Sequence, residues 1–352
     1  MPTNHIAPRA ASLQRADTAL ISTAALAGVP EFVRGAFGER VLREANRAAR
    51  LDIEVVASSD CFVPQRTIAA FTEAVARASG EEHFGLKLAP HLSLSRYGVW
   101  GKYLLGAATL GAAVRRAVAT MEVHARGDAM SLDVIAGRAR IGYVSAARGL
   151  DGYAHVAWGT IGVMLDLCRA YLPATWRPQC IEVDLALPGP LAMAEDSFEC
   201  PVVFGAPGLA VWLRSADLSA PARDAARALP TLGDLACACS ALHRLQGLEG
   251  VVANQVWAQV VAGRVSIEST ARALGTSVRS LQRDLNREGI DFRAMVNTLR
   301  ARRALELLRE TDASVTQISM LLGYSAPAHF ARAFRRATGL GPTEFRRASC
   351  TG

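Results

Sequence analysis

The sequence predicts an α+β amino-terminal domain followed by an all-α carboxy-terminal domain, in which two helix–turn–helix units are joined by a long linker helix. The chain has 352 residues, of which 51% are hydrophobic, so it is long and apolar enough to bury two cores. Strand and helix patterns mix up to about residue 215, whereas only helical patterns follow residue 250. A helix–turn–helix pattern then occurs twice, at residues 264–289 and 313–339.

The domain order begins with residues 1–28, where "ALISTAALAG" (19–28) predicts a leader helix. Asp17 precedes this run and no basic cluster adjoins it, which argues against a signal peptide. Residues 29–215 then mix periods. Helical spacing occurs at 67–78 and 109–125, and the very apolar run 155–172 predicts a central helix.

The strands of this domain are predicted from shorter patterns. Gly137–Arg138 separates two alternating runs and indicates a hairpin. Residues 180–187 predict a further strand, and two short strands are expected around Gly205–Gly208. Residues 216–249 predict a helical connector, interrupted by Pro230 and Gly233, before the all-α domain at 250–348.

The repeated unit of the second domain has the same signals each time. "LQRDLNR" (281–287) aligns with "FARAFRR" (330–336), and each follows a helix that starts at a Ser and ends at a Gly, "SIESTARALG" (266–275) and "SVTQISMLLG" (314–323). The Ser can cap the helix, and the Gly can adopt the left-handed conformation that turns the chain. Between the units, residues 291–311 contain no Gly or Pro and predict the linker helix.

The apolar positions of these units predict which side chains point outward. Ile267, Leu274, Leu281 and Leu285 are expected to form one core, and the second unit has its own set, Ile318, Leu322, Phe330 and Phe334. The outward side chains at the start of each second helix are then Arg279, Gln282 and Arg283, and Ala326, Pro327, His329 and Arg332. Recognition helices contact base edges from such positions, where Arg pairs with guanine and Gln with adenine.

Phosphate contacts are expected beside these positions. Arg335 and Arg336 lie further along the second helix, and Ser277 and Thr343 lie at helix N-termini, where the backbone favours anions. The alternative for every such side chain is an ordinary solvated or salt-bridged helix face.

The charge distribution agrees with a polyanion partner. The net charge is +7, and residues 251–352 contain 15 Arg and eight acidic residues, so the whole excess lies in the carboxy-terminal part. This asymmetry favours a polyanion-binding module attached to a neutral one. The alternative is a basic domain with no polyanion partner.

Other function classes find little support. The seven Cys are scattered, which fits a reducing cytoplasm, and no apolar run approaches the ~20 residues of a membrane span. Cys237, Cys239 and His243 lack a fourth ligand nearby, so we expect neither a metal nor a cofactor. No nucleophile elbow, phosphate loop or paired carboxylates indicate an enzyme.

The carboxy-terminal motifs closely resemble the AraC family of bacterial transcription regulators. The resemblance covers residues 250–348 and ends in "GLGPTEFRR" (339–347). It implies that base contacts fall on six positions, Arg279, Gln282, Arg283, Pro327, His329 and Arg332. Val278 and Ser319 stand where the family often has Pro and Ala.

The amino-terminal half resembles the "arabinose-binding" effector domain, through stretches such as "EEHFGLKLAP" (81–90) and "FECPVVFGAPGLAVWL" (198–213). The resemblance implies ligand sensing and dimerisation. Val203 replaces the usual Arg, which removes either a surface charge or a ligand-facing one. Candidate pocket residues come from the apolar helices, namely Trp100, Tyr103, Met121, His124, Trp158 and Met164. The alternative is ordinary core, with His124 hydrogen-bonded or at the surface.

These observations predict a cytoplasmic bacterial transcription regulator, expected to act as an activator. Its partners would be a double-stranded DNA operator, RNA polymerase, a small-molecule effector and a second copy of the chain, with no membrane. The alternative is a regulator that a partner protein controls through the amino-terminal domain.

Overall fold

The structure, a computed structural model, describes residues 19–49, 53, 62–186, 190–223 and 247–349. The amino-terminal domain contains seven helices within these residues: α1 (Val29–Ala49), α2 (Gln65–Ser79), α3 (Phe84–Leu88), α4 (Gly98–Leu105), α5 (Leu110–His124), α6 (Tyr153–Arg169) and α7 (Leu191–Phe198). Its strands are β1 (Leu20–Ser22), β2 (Phe62–Pro64), β3 (Ala129–Ile135), β4 (Arg138–Val144), β5 (Cys180–Glu182), β6 (Val202–Val203) and β7 (Leu209–Arg214).

A five-stranded sheet in the order β3-β4-β7-β5-β6 forms one layer of this domain. The predicted hairpin is present, with its turn one residue earlier than expected: β3 and β4 pair antiparallel, Arg138 begins β4, and Ala136 and Gly137 both adopt positive φ in the two-residue turn. The two short strands near Gly205 are also present, and β6 pairs parallel to β5 while β7 lies between β4 and β5. The α+β prediction is therefore confirmed.

The apolar run at 155–172 forms the central helix α6, as predicted. Its buried side chains pack against β7 and against α2 and α3. Because both sides of α6 are covered, it needs apolar residues around most of its circumference. It consequently separates the core over the sheet from a second core around α1 and α2.

The predicted leader helix is wrong for the residues that the structure describes. Leu20–Ser22 forms β1, which pairs antiparallel with β2, and Thr23–Leu26 is a single 3-10 turn capped by Ser22. The alanine-rich composition favours a helix locally, but Leu20 is buried against Phe62 in a pairing that spans about 40 residues of chain. Residues 1–18 of the predicted leader lie outside the described residues.

The carboxy-terminal domain is all helix in the described part of the chain. Its elements are α8 (Gly247–Val261), α9 (Ile267–Ala273), α10 (Val278–Arg287), α11 (Phe292–Glu310), α12 (Val315–Leu321), α13 (Pro327–Thr338) and α14 (Pro342–Ser349). The two expected cores are joined into a single one, because α11 contributes Val296, Ala304 and Leu308 between the two units. The linker helix therefore fixes the units relative to each other.

Helix α8 packs on both domains. Its valines, such as Val252 and Val256, enter the core of the carboxy-terminal domain, while Ala258 and Val261 enter the core around α1 and α2. Asn254 hydrogen-bonds both backbone groups of Phe62 in β2, accepting from the amide nitrogen at 3.4 Å and donating to the carbonyl. The domain border expected at residues 249–250 thus falls inside a helix that connects the domains.

Two sequence expectations lie outside the described residues. Most of the predicted connector, residues 224–246, belongs there, and so do Cys237, Cys239 and His243.

Within the described residues, none of the helices combines the length and apolarity that crossing a bilayer requires.

Candidate functional sites

The first helix–turn–helix unit is defined by its caps. Ser266 begins α9 by accepting the amide of Ser269 at 3.1 Å, and Ser277 begins α10 by accepting that of Ser280 at 3.1 Å. Leu281 and Leu285 are buried beneath α10. This orientation leaves one face of α10 in solvent.

The second unit repeats the arrangement with aromatic side chains. Ser314 and Gln317 form a reciprocal capping box at the start of α12. Pro327 opens α13, and Gly339 ends it at φ 80°. Phe330 and Phe334 are buried with ring centroids 5.7 Å apart, and Phe345 of α14 packs edge-on against Phe334. The apolar face of α13 is thus fully used inside the domain.

The predicted base-contacting side chains all lie exposed on the two second helices: Arg279, Gln282, Arg283, Pro327, His329 and Arg332. The side chains of Arg279 and Arg332 have no hydrogen bond or ion pair with another described residue. Arg283 has a loose contact, 3.5 Å from its Nε to Asp284. His329 Nδ1 lies 3.5 Å from Ser325 Oγ. These contacts are exposed and weak, so the side chains can turn toward a ligand.

A wide groove separates α10 from α13. Gln282 and Asn286 line it from the first unit, and Tyr324 and His329 line it from the second. Its floor includes Arg300 of the linker helix, whose guanidinium stacks 5.0 Å from the Tyr324 ring centre. Side chains of both units therefore border one continuous depression, whose charged lining residues are Asp291, Arg293 and Arg300.

The four side chains predicted to contact phosphates differ in whether they already hydrogen-bond another group of the protein. Arg336 and Thr343 are exposed. Ser277 is occupied as the cap of α10. Arg335 donates to both carboxylate oxygens of Glu344 at 3.1 and 2.9 Å. The Gly341 amide, and then Arg335, hold the pKa of Glu344 below its usual value, so this pair is charged at neutral pH.

The amino-terminal domain contains an apolar cavity between α2, α4, α5 and α6, with a volume of about 110 Å³. Four of the six predicted pocket residues line it, namely Trp100, Met121, His124 and Met164. The other two lie elsewhere. The ring of Tyr103 is covered by Arg116, and Trp158 packs between Phe198 and Phe204. Both belong to the ordinary core.

His124 differs from its expectation. It is only 5% exposed, and its Nδ1 has no hydrogen-bond partner, so it is neither satisfied nor at the surface. Its ring stacks on Trp100 with centroids 4.4 Å apart and planes 8° apart. Burial lowers the pKa of His124 to about 3, which keeps the imidazole neutral.

A break in α5 holds Trp100 in place. Thr120 departs from helical geometry, which frees its carbonyl. Trp100 Nε1 donates to that carbonyl at 3.1 Å and to Thr120 Oγ1 at 2.9 Å. The indole is therefore fixed, and it fixes the His124 ring beside it.

Comparison with known proteins identifies the family. The model of the arabinose-binding amino-terminal domain of AraC transcription regulators matches residues 41–222, which is more than half of the chain. The chain belongs to the AraC family of transcription regulators. A helix-turn-helix domain model also matches residues 270–348, which include most of both units. This AraC-family member is therefore a DNA-binding regulator of transcription.

Several known proteins are similar to this chain over different lengths. The ornithine utilization regulator of Pseudomonas aeruginosa is 27% identical over 308 residues, covering 86% of this chain and 89% of that protein. The HTH-type transcriptional regulator VqsM of Pseudomonas aeruginosa is 43% identical over 81 residues, 23% of this chain and 25% of that one. Among solved structures, the regulator CdpR of Pseudomonas aeruginosa aligns with a TM-score of 0.39 and 23% identity, covering 89% and 98% of the two chains.

At one position this chain has Val203 where the family usually has Arg. Val203 is 49% exposed on β6 and does not line the cavity, so the substitution changes the surface of the protein. Several further residues that were not predicted from the sequence line the cavity, among them Tyr97, Tyr143 and His155. His155 opens the apolar run of α6, and a lone titratable residue there was the available signal.

Proposed function

We propose that this AraC-family regulator is an effector-responsive transcription activator of the bacterial cytoplasm. It would bind adjacent major-groove segments of a double-stranded DNA operator, one with each helix–turn–helix unit. One observation carries the proposal. The outer faces of α10 and α13 are exposed, their side chains make few contacts with other residues, and both helices pack on one continuous core. A shared core keeps the two faces in a constant relation, as simultaneous binding to two grooves requires.

The residue roles follow from exposure and side-chain chemistry. We assign base contacts to Arg279, Gln282, Arg283, Pro327, His329 and Arg332. Arg336 and Thr343 would contact phosphates directly, and Ser277 would do so through the N-terminus that it caps. Arg335 would exchange Glu344 for a phosphate. The second unit has Ala326 and Pro327 at its first positions, so it would contribute less to sequence discrimination than the first.

A salt titration tests DNA binding. The ligand is a duplex selected from a random pool by the purified full chain, and its affinity is measured between 50 and 200 mM salt. Each neutralised phosphate contributes a log–log slope of about −0.9, so the two positively charged phosphate contacts, Arg335 and Arg336, give about −1.8 for each bound chain. Affinity that is independent of salt would contradict the proposal.

The cavity is the proposed effector site. Leu26, Val29 and Ile68 line it and also belong to the core on which α8 packs. An effector that shifts α2 would therefore act on α8, which enters the core of the DNA-binding domain. The name of the matching domain model mentions arabinose and that of one relative mentions ornithine, so both compounds belong in a test panel.

Control by a partner protein is the alternative. A metabolite panel in a thermal-shift assay separates the two hypotheses, because a ligand of the native state raises the unfolding midpoint. No shift with any compound, together with a stable protein complex in a pull-down, would favour the partner.

We also propose that the protein acts as a homodimer and contacts RNA polymerase when bound to DNA. The family resemblance supports both, and β3 offers an edge whose Val134 and Ile135 are exposed. Native mass spectrometry with and without the selected duplex tests the dimer, and two chains per duplex are expected. A single chain per duplex would contradict it.

A further inference from the structure

The cavity in the amino-terminal domain restricts the charge of its ligand; this inference rests on the proposed role of the cavity as the effector site. Twenty-four residues line it, and none of them is Asp, Glu, Lys or Arg. A charged group of a ligand would lose its water there without gaining a counter-ion, which strongly disfavours binding. The surroundings therefore select against free amino acids, carboxylates and amines.

Most polar side chains of the lining are already satisfied. Thr72 donates to the carbonyl of Ala69 at 2.9 Å, and Thr160 donates to that of Val156 at 3.0 Å. The Tyr143 hydroxyl donates to Asp128. Asp128 also accepts a hydrogen bond from Gln65 at 2.8 Å, and it does not line the cavity. These groups have little capacity left for a ligand.

The second histidine of the lining is satisfied as well. His155 Nδ1 accepts the amide of Gly85 at 3.3 Å, and its Nε2 lies 3.8 Å from the Glu73 carboxylate. Burial lowers the pKa of His155 in spite of Glu73, so this imidazole is neutral near pH 7.

Two lining groups are exceptions, because neither the Tyr97 hydroxyl nor His124 Nδ1 has a hydrogen-bond partner among the described residues. Of these, His124 Nδ1 carries the inference. It is buried without a partner in the described structure, and Trp100 holds the ring rigidly. A buried polar atom without a hydrogen bond is costly, so a ligand that supplies one gains affinity relative to a purely apolar molecule. A hydroxyl group suits this nitrogen in either tautomer, because it can both donate and accept.

We infer that the cavity binds an uncharged, mainly apolar molecule that carries one hydroxyl group and pairs it with His124. A sugar does not fit this chemistry, because each of its several hydroxyl groups would need a partner. Aromatic and aliphatic alcohols both fit.

Binding of two matched sets of compounds to the full chain tests this inference. Benzyl alcohol is compared with benzoate and benzylamine, and 1-hexanol with hexanoate and hexylamine, by titration calorimetry at pH 7.5. The alcohols are expected to bind on the order of 100-fold more tightly than the charged compounds. L-ornithine and L-arabinose are expected not to bind. Equal or tighter binding of any charged compound or sugar, or no binding of either alcohol, would overturn the inference.

A variant locates the hydroxyl group. In His124→Phe the preference for benzyl alcohol over toluene, about tenfold in the wild-type protein, is expected to disappear. His91→Phe is the matched control, because His91 is exposed and does not line the cavity. An unchanged preference in His124→Phe would contradict the pairing. If that variant does not fold, His124→Gln and the wild-type series still decide the matter.

Failure of the predicted ligand class and failure of the proposed DNA-binding function give different experimental results. Salt-dependent binding of the selected duplex without alcohol binding would reject the ligand class alone. Alcohol binding without binding of any duplex would reject the proposed function and leave the ligand class standing.

Discussion

His124 shows how a single side chain links the cavity to stability. Its pKa is about 3 in the folded protein and 6.5 when exposed, because burial disfavours the charged form. As pH falls below 6.5, the unfolded chain takes up a proton that the folded protein does not. His124 therefore reduces stability progressively between pH 6.5 and about 3.

The pH dependence of unfolding tests this description of His124. Between pH 7.5 and 5.5 the wild-type protein should lose about 1.4 kcal/mol from this group, a loss that is absent in His124→Phe. Urea unfolding at the two pH values measures the difference. His155, whose pKa is also lowered, contributes equally to both proteins and cancels. An identical pH dependence in the two proteins would contradict the buried, neutral state of His124.

Arg283 is the residue on which sequence discrimination by the first unit is expected to depend most. Arg283→Ala should cost about 1–3 kcal/mol at one base pair and relax the preference there. Arg287→Ala is a matched control, because Arg287 is equally exposed on α10 and lies 3.8 Å from the same Asp284. Affinities for duplexes substituted at each base pair provide the measurement. A uniform loss across all duplexes would assign Arg283 to phosphate instead.

At the scale of elements, the turn of the second unit depends on a close backbone approach. Gly323 follows α12 with φ 73°, and a Cβ there would lie 2.7 Å from the carbonyl oxygen of Gly263, just after α8. Gly339 ends α13 with φ 80°, but a Cβ there would meet nothing within 4 Å. Both positions require a left-handed backbone conformation, and they differ only in whether a Cβ atom would have room.

Alanine substitutions separate these two effects. Gly339→Ala should cost about 1–2 kcal/mol, the strain of a left-handed residue with a Cβ. Gly323→Ala should cost at least about 1 kcal/mol more, because a backbone oxygen cannot move aside as a flexible side chain can. Urea unfolding of the two variants gives the comparison, and equal losses would show that the contact with Gly263 is unimportant.

Elements with local signals were predictable from the sequence. Ser266, Ser314 and the glycines that follow their helices mark the units directly, and Gly137 marks the hairpin. The leader was not predictable, because β1 exists through pairing with β2, and local alanine content favours a helix. Likewise, no local pattern distinguishes Met121, which lines the cavity, from Trp158, which lies in the core.

At the scale of the whole molecule, α8 and β2 connect the two domains. The Asn254 side chain satisfies both backbone groups of Phe62, and all of these atoms are buried. The sequence alone does not predict this contact, since the two residues are 192 positions apart. The interface provides the physical connection between the proposed effector cavity and the DNA-binding units.

Removal of the Asn254 side chain tests that interface. Asn254→Ala leaves the Phe62 amide and carbonyl without partners and should destabilise the protein by about 1–3 kcal/mol. Asn297→Ala, at an exposed position of α11, should change stability by less than about 0.5 kcal/mol. Urea unfolding followed by tryptophan fluorescence compares them. If both variants behave like the wild-type protein, the contact does not join the domains.

The central claim is that one chain binds DNA through two units at once. The most direct measurement is the affinity of the wild-type protein for a series of duplexes in which each base pair of the selected site is changed in turn. For each bound chain we expect two groups of sensitive base pairs about 10 bp apart, and Arg283→Ala should assign the stronger group to the first unit. A single group of sensitive base pairs for each bound chain, or none, would contradict simultaneous binding by both units.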